Sequence, residues 1–305
     1  MSATATFDPT SVDDVHAIRA QQYVAIAGFC LMLYDIVITL DIEINLVWRA
    51  PMSVVKFLFL WNRYVTPCLY IFVVCTMSGL LNTPANPNYC VEFFLIMLTS
   101  QAISVNGVGA ALMLLRVHAL YNRSKGVLIL LSTLLALELV SSVGVMAYGV
   151  MTVQTGMSFN EAVHACISTH HLRWLWVVFL FMMLYDCVIF FLVFHKTWSH
   201  AKTLKTMHAY PQLVGVLLFD AVGYFLVMMA AELVNIIAYT TFPPNIFLIG
   251  INIMWCMNTT MISRLYLNLR SAARPQDWSS LTAFKSDDPS TYTTDDSGWT
   301  LYGSE

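Results

Sequence analysis

Seven stretches of this chain, at about 23–40, 56–80, 91–115, 127–150, 173–195, 213–240 and 245–268, carry few charges over the thickness of a bilayer. A hydrocarbon core about 30 Å thick takes roughly 20 helical residues to cross. No other feature constrains the fold as much. Lipid offers no partner to an unpaired backbone N–H or C=O, so spans of this kind must satisfy those groups internally, as helices. The expectation is an all-α fold, a seven-transmembrane-helix bundle occupying residues 23–270. Residues 1–22 form an outer segment and 271–305 a polar tail rich in Ser, Thr and Asp. Composition agrees: 58% of the 305 residues are hydrophobic and 11% charged, against about a quarter charged in soluble domains.

Charge placement orients the bundle. Of 15 Lys and Arg, only Arg19 and Arg173 fall on the side of the N-terminus, and the rest lie at or beyond the opposite boundary. By the positive-inside rule the N-terminus is outside and the C-terminus cytoplasmic. The first 20 residues carry Asp8, Asp13 and Asp14 and lack a basic leader, so the first span is expected to stay as a signal anchor. The net charge of −3 gives no basic excess for nucleic acid. Two sequons, at Asn122 and Asn258, fall on the cytoplasmic side and inside the seventh span, so neither is expected to carry sugar. The sequence leaves plasma membrane and endomembrane unresolved.

One run is distinctive. Tyr34–Tyr64 contains an aromatic–Asp pair, Thr-Leu-Asp-x-Glu, Val-Trp-Arg and Leu-Phe-x-x-Asn-Arg-Tyr. It resembles the N-terminal signature of a fungal, mainly basidiomycete, family of multi-pass membrane proteins defined by a domain of unknown function. LLRVHALYNRSK (Leu114 to Lys125), LLFDAVGYFLV (Leu217 to Val227) and ISRLYLNLR (Ile262 to Arg270) are similar to later parts of the same family. Phe219 stands where that pattern would place a basic residue before Asp220. The resemblance implies a multi-pass architecture and brings no activity.

Five acids lie within spans: Asp35, Glu138, Asp186, Asp220 and Glu232. A charge at membrane depth costs roughly 2.5–3.5 kcal/mol on insertion scales, so each needs a partner or a neutral form. Asp35 and Arg63 sit at matching depths of the first hairpin and are expected to pair. Glu138 shares a helix face with Ser141 and Ser142, one helical turn on. Glu232 and Asn235 are expected to face an outer cavity with Gln101 and Asn106. Ser100, Ser104, Gly107 and Ala111 form a small-residue seam for close helix contact. At the inner face, Arg116 and Asp220 are candidates for a latch between the third and sixth helices.

Cys90 and Cys166 are the two cysteines placed on the outer, oxidising side, and a disulfide between them is expected; two free thiols remain the alternative. His164, Cys166, His170 and His171 match no metal-ligand spacing, so no metal is expected. Enzyme motifs are missing (no HExxH, Walker A loop, GxSxG or dinucleotide glycines), and no cofactor is implied. LMLYDIVI (31–38) echoes MMLYDCVI (182–189), which hints at parallel three-helix repeats of a transporter type.

Two functions follow. The leading expectation is a receptor-like or sensory protein that couples an outer cavity and a small ligand to a cytoplasmic signalling partner. The alternative is a small-solute or ion transporter. Acids gathered at one depth on several helices favour transport; acids dispersed in separate pairs favour a receptor.

Overall fold

The computed structural model describes residues 12–78, 88–153, 157–160, 165–168, 175–206, 211–241 and 248–272. Seven long helical rods account for nearly all of them. The first, α1 (Val12–Ile38), continues after a brief break through Leu40–Glu43 and a π-helical turn at Ile44–Trp48. Then come α2 (Val54–Met77), α3 (Tyr89–Leu120) and α4 (Lys125–Val153). A hairpin of β1 (Met157–Asn160) and β2 (Ala165–Ser168) precedes α5 (Trp176–Thr206), α6 (Pro211–Thr241) and α7 (Leu248–Ala272). Its strands are antiparallel, with Phe159 opposite Cys166.

Six of these helices are long and apolar enough to cross a membrane. The seventh, α7, is not apolar enough, and burial gives the reason: Asn252, Asn258, Thr259 and Ser263 all point into the bundle. A helix whose polar side chains face neighbouring helices can be less apolar than one that meets lipid on most sides. On α1 the opposite face is lipid-like, with Leu31, Tyr34 and Val37 exposed while Ala25, Met32 and Asp35 are buried.

The helices close into one ring. Sequence neighbours pack in turn from α1 to α7, and α7 packs back on α1. α3 occupies the middle, touching α2, α4, α5 and α7, and its N-terminal end meets β1. The two triplets, α1–α3 and α5–α7, are not packed as separate units: α3 touches both α5 and α7. The echoed motifs also sit differently: Tyr34 is 62% exposed, whereas Tyr185 is 2% exposed and donates to the Ala110 carbonyl at 2.9 Å.

Span limits differ from the sequence reading chiefly at α1, which continues past residue 40 to Trp48. The seam on α3 shifts as well. Residues Ala102–Gly109 are π-helical, and each widened turn rotates the residues beyond it relative to an α-helix. The close approach therefore falls at Gly109, where a Cβ would come within 2.9 Å of Ile262 Cδ1 and 3.3 Å of Asn258 Oδ1. Gly107 has only ordinary contact, with its own helix.

Candidate functional site

Two polar centres lie inside the bundle, and they differ in charge balance. The first joins α1, α2 and α7. Arg63 is 1% exposed and its Nε is bonded to Glu43 Oε2. Its Nη2 donates to Thr39 Oγ1 at 2.5 Å and to the Ile36 carbonyl at 3.1 Å. Its Nη1 stands 3.6 Å from Asp35 Oδ2, and Arg264 Nε reaches Asp35 Oδ1 at 2.5 Å. Glu43 also accepts from Trp48 Nε1 at 3.0 Å and from the Tyr64 hydroxyl at 2.8 Å.

Two acids and two arginines cancel here, so the centre works as a clamp. The expected Asp35–Arg63 proximity exists, but Glu43 is the closer partner of Arg63. Glu43 lies beyond residue 40, where the sequence reading ends the first span. The signal that would have found it is the i, i+4, i+8 series Asp35, Thr39, Glu43, one polar stripe on a helix that does not stop at residue 40.

Among the described residues, the second centre has acids and no base. Glu138 comes from α4, Asp186 from α5 and Glu232 from α6. Their side chains meet at one depth of the bundle. They line a common cavity of about 20 Å³ with Tyr185, Tyr224 and Asn258. Asp186 and Glu232 lie within hydrogen-bonding reach of each other.

Oε2 of Glu138, Oε2 of Glu232 and Oδ1 of Asn258 are buried and find no donor. Glu138 is 2% exposed and Glu232 1%. Ser141 donates to the Glu138 backbone carbonyl at 2.7 Å, and Ser142 accepts from Asn106 Nδ2 at 3.0 Å. The serines expected to satisfy the Glu138 carboxyl are thus engaged elsewhere.

Cavities lie on both sides of this chamber, all bordered by α3. Toward the hairpin is a cavity of about 40 Å³ that includes Gln101, Asn106 and Ser142. It shares Met182 with the chamber. Toward the other end is a cavity of about 260 Å³ that includes Arg116 and Arg270 and shares Met113 and Ile262 with the chamber. Glu232 therefore belongs to the middle of the column. Gln101 and Asn106 border the cavity toward the hairpin, and Asn235 donates to the Ala231 and Gly250 carbonyls at 2.8 and 3.2 Å. The expected grouping of these four residues separates into two levels and one helix contact.

Arg116 lies at the cavity of about 260 Å³, half-buried, with Nη1 lacking a hydrogen-bond partner. The side chain of Asp220, its expected latch partner, lies outside the described residues. Cys90 and Cys166 are joined, with Cα atoms 5.5 Å apart, which straps β2 to the N-terminal end of α3. His164, His170 and His171 also lie outside the described residues. Among those described, no three His, Cys, Asp or Glu side chains converge closely enough to hold a metal ion.

Comparison with known proteins adds one link. Residues 23–68 match the model of a family of unknown function, DUF6533. The matched stretch contains Asp35, Glu43 and Arg63, so it covers the α1 and α2 part of the clamp and none of the chamber. No curated protein and no solved structure matches the chain.

Proposed function

We propose that this membrane protein carries a small cationic species across the bilayer, with the bundle reading as seven spans and the N-terminus outside. The observation that carries the reading is the gathering of Glu138, Asp186 and Glu232 in one cavity at one depth. Transporter sites lie near the bilayer midplane, where access alternates between the two faces. The flanking cavities supply approaches from each side. The side chains shared between levels, Met182 above and Met113 with Ile262 below, are suited to opening by rotamer change, because methionine is unbranched and flexible. The outer cavity, at about 40 Å³, is far below the roughly 300 Å³ of an ordinary small-molecule site. That size favours a proton or bare cation over an organic ligand.

The test is reconstitution of the full chain in liposomes loaded with pH- and voltage-sensitive dyes, under proton, Na⁺ or K⁺ gradients. The expected result is flux above protein-free vesicles under at least one gradient, reduced by Glu232→Gln. Flux equal to protein-free vesicles under all three would refute the proposal.

The strapped hairpin and the inner cavity with Arg116 and Arg270 favour a second reading, a receptor-like sensor with a cytoplasmic signalling partner. In that reading the fixed outer end of α3 leaves its inner end as the moving part. Crosslinking of α3 to α7 across the inner cavity would then change signalling output and leave ion flux at background.

A further inference from the structure

We propose that the chamber between Glu138, Asp186 and Glu232 is a proton-binding site, and that the proton is its ligand. The inference deepens the transport reading and rests on it for the site's role, while binding itself rests on the chamber alone. Asp186 and Glu232 approach as hydrogen-bond partners, yet two carboxylates have only acceptors. A hydrogen bond between them needs a proton on one oxygen. Oδ1 of Asn258 and Oε2 of Glu138 add two more buried acceptors without donors. Every unmet need in this cavity is for positive charge or for hydrogen.

Among the described residues the surrounding groups supply no positive charge, and their hydrogens are those of the Tyr185 and Tyr224 hydroxyls and the Asn258 amide. From α3 the cavity meets Val105, Gly109, Ala110 and Met113, none of them ionisable. α4 contributes Glu138, and α5 contributes Asp186 and Tyr185, whose hydroxyl hydrogen goes to the Ala110 carbonyl. Cys187 follows on the same helix, half-buried. α6 brings Glu232 and Tyr224, and α7 brings Asn258 and Ile262. Arg116 borders the inner cavity and interacts electrostatically with Tyr224. Among the described residues, three carboxyls thus share a buried space with no cation lining it, and ionising all of them together would concentrate like charge at membrane depth.

Space and ligand number separate the proton from a metal ion. About 20 Å³ admits roughly one water-sized particle. Hard cations such as Ca²⁺ and Mg²⁺ take six or more oxygens, and the described side chains present no three-ligand metal geometry. Uptake is a simple transfer. A carboxylate lone pair takes a proton from hydronium that reaches the chamber past Met182 or past Met113 and Ile262; one hydronium O–H bond breaks as the carboxyl O–H bond forms, a neutral water molecule is left, and no electron changes hands.

The experiment is infrared titration of the full-length protein in detergent, stepped from acidic to alkaline pH. Solvent-exposed carboxyls are ionised by neutral pH, so a protonated-carboxyl band that survives there comes from buried acids. The expected result is such a band, lost on alkalinisation and at least halved in Glu232→Gln and in Asp186→Asn. If one variant fails to fold, the other and Glu138→Gln carry the assignment. A wild-type protein with no protonated-carboxyl band at neutral pH would overturn the proposal. So would a band that the folded variants leave intact, or one that Na⁺ bleaches at fixed pH where choline does not. A titrating band in protein that gives no flux in liposomes removes the transport role and leaves the proton site standing. Flux without the band removes the proton site.

Discussion

Replacing Arg63 by leucine tests the clamp most directly. The substitution removes the bond to Glu43, the contact with Asp35 and the two bonds to Thr39 Oγ1 and the Ile36 carbonyl. Glu43 is fully buried and keeps only the neutral donors Trp48 and Tyr64. Asp35 keeps Arg264. Breaking a buried pair by removing one partner costs about 3–5 kcal/mol, and that range is expected here. Arg264→Leu should cost much less. The Arg264 side chain is 50% exposed, solvent screens it, and Asp35 retains Arg63; about 1 kcal/mol is expected. Glu43→Gln, added to Arg63→Leu, removes the stranded charge and keeps an acceptor for Trp48 and Tyr64, so the double variant should be more stable than Arg63→Leu alone. Reversible unfolding in SDS titrations measures all three. The reasoning is refuted if Arg264→Leu is as damaging as Arg63→Leu, or if Glu43→Gln makes Arg63→Leu worse.

Gly250→Ala should destabilise the α6–α7 contact by about 1–3 kcal/mol, because an added methyl would run into the Asn235 amide; the same SDS titration reads it, and a neutral result would mean that Asn235 swings aside. Cys166→Ser should free Cys90 for thiol labelling in the folded protein and lower stability by about 2 kcal/mol, the low end for a disulfide, because inserted helices already restrict the loop; labelling of Cys90 in unreduced wild type would contradict the bridge. The chamber makes stability depend on pH. A folded state that holds protons which the unfolded state releases above about pH 4 loses stability as pH rises, by up to tenfold in the folding equilibrium per pH unit for each proton. That slope should flatten in Glu232→Gln, and unchanged slopes in denaturation midpoint against pH would count against it. Arg123 holds a left-handed backbone conformation at φ 59°, so Arg123→Gly should stabilise the α3–α4 turn by up to about 1 kcal/mol, visible as a higher midpoint.

Much of this was legible in the residues. Apolar length and the rarity of charge pointed to membrane helices. Glu232 was expected at the outer end, because it lies beyond the middle of a span drawn from 213 to 240. The cavity it shares with Glu138 and Asp186 groups it with those acids instead, a contact between helices that no single span announces. Glu43 was obscured for a related reason: Asp41 and Glu43 look like the end of a helix when depth is judged by charge alone. The π-helical turns left no readable mark. Their effect is a change of phase, which redirects the close contact of α3 from Gly107 to Gly109. The echo between 31–38 and 182–189 was readable, yet its two tyrosines stand in different surroundings, Tyr34 exposed and Tyr185 buried.

The gathering of one carboxyl from each of α4, α5 and α6 in a single buried chamber also bears on how the chain is made. Helices leave the ribosome in order, and each must partition into lipid before later partners exist. An ionised carboxyl at that depth opposes partitioning by roughly 2.5–3.5 kcal/mol. When α4 arrives, Glu138 has neither Asp186 nor Glu232 beside it. When α5 follows, Asp186 still lacks the carboxyl that it will face in the finished bundle. Only α6 completes the set, and Asn258 of α7 arrives later still. A nascent chain stalled before α6 therefore carries two uncompensated acids within its apolar helices, a lesion by which membrane quality control can distinguish an unfinished bundle from a finished one.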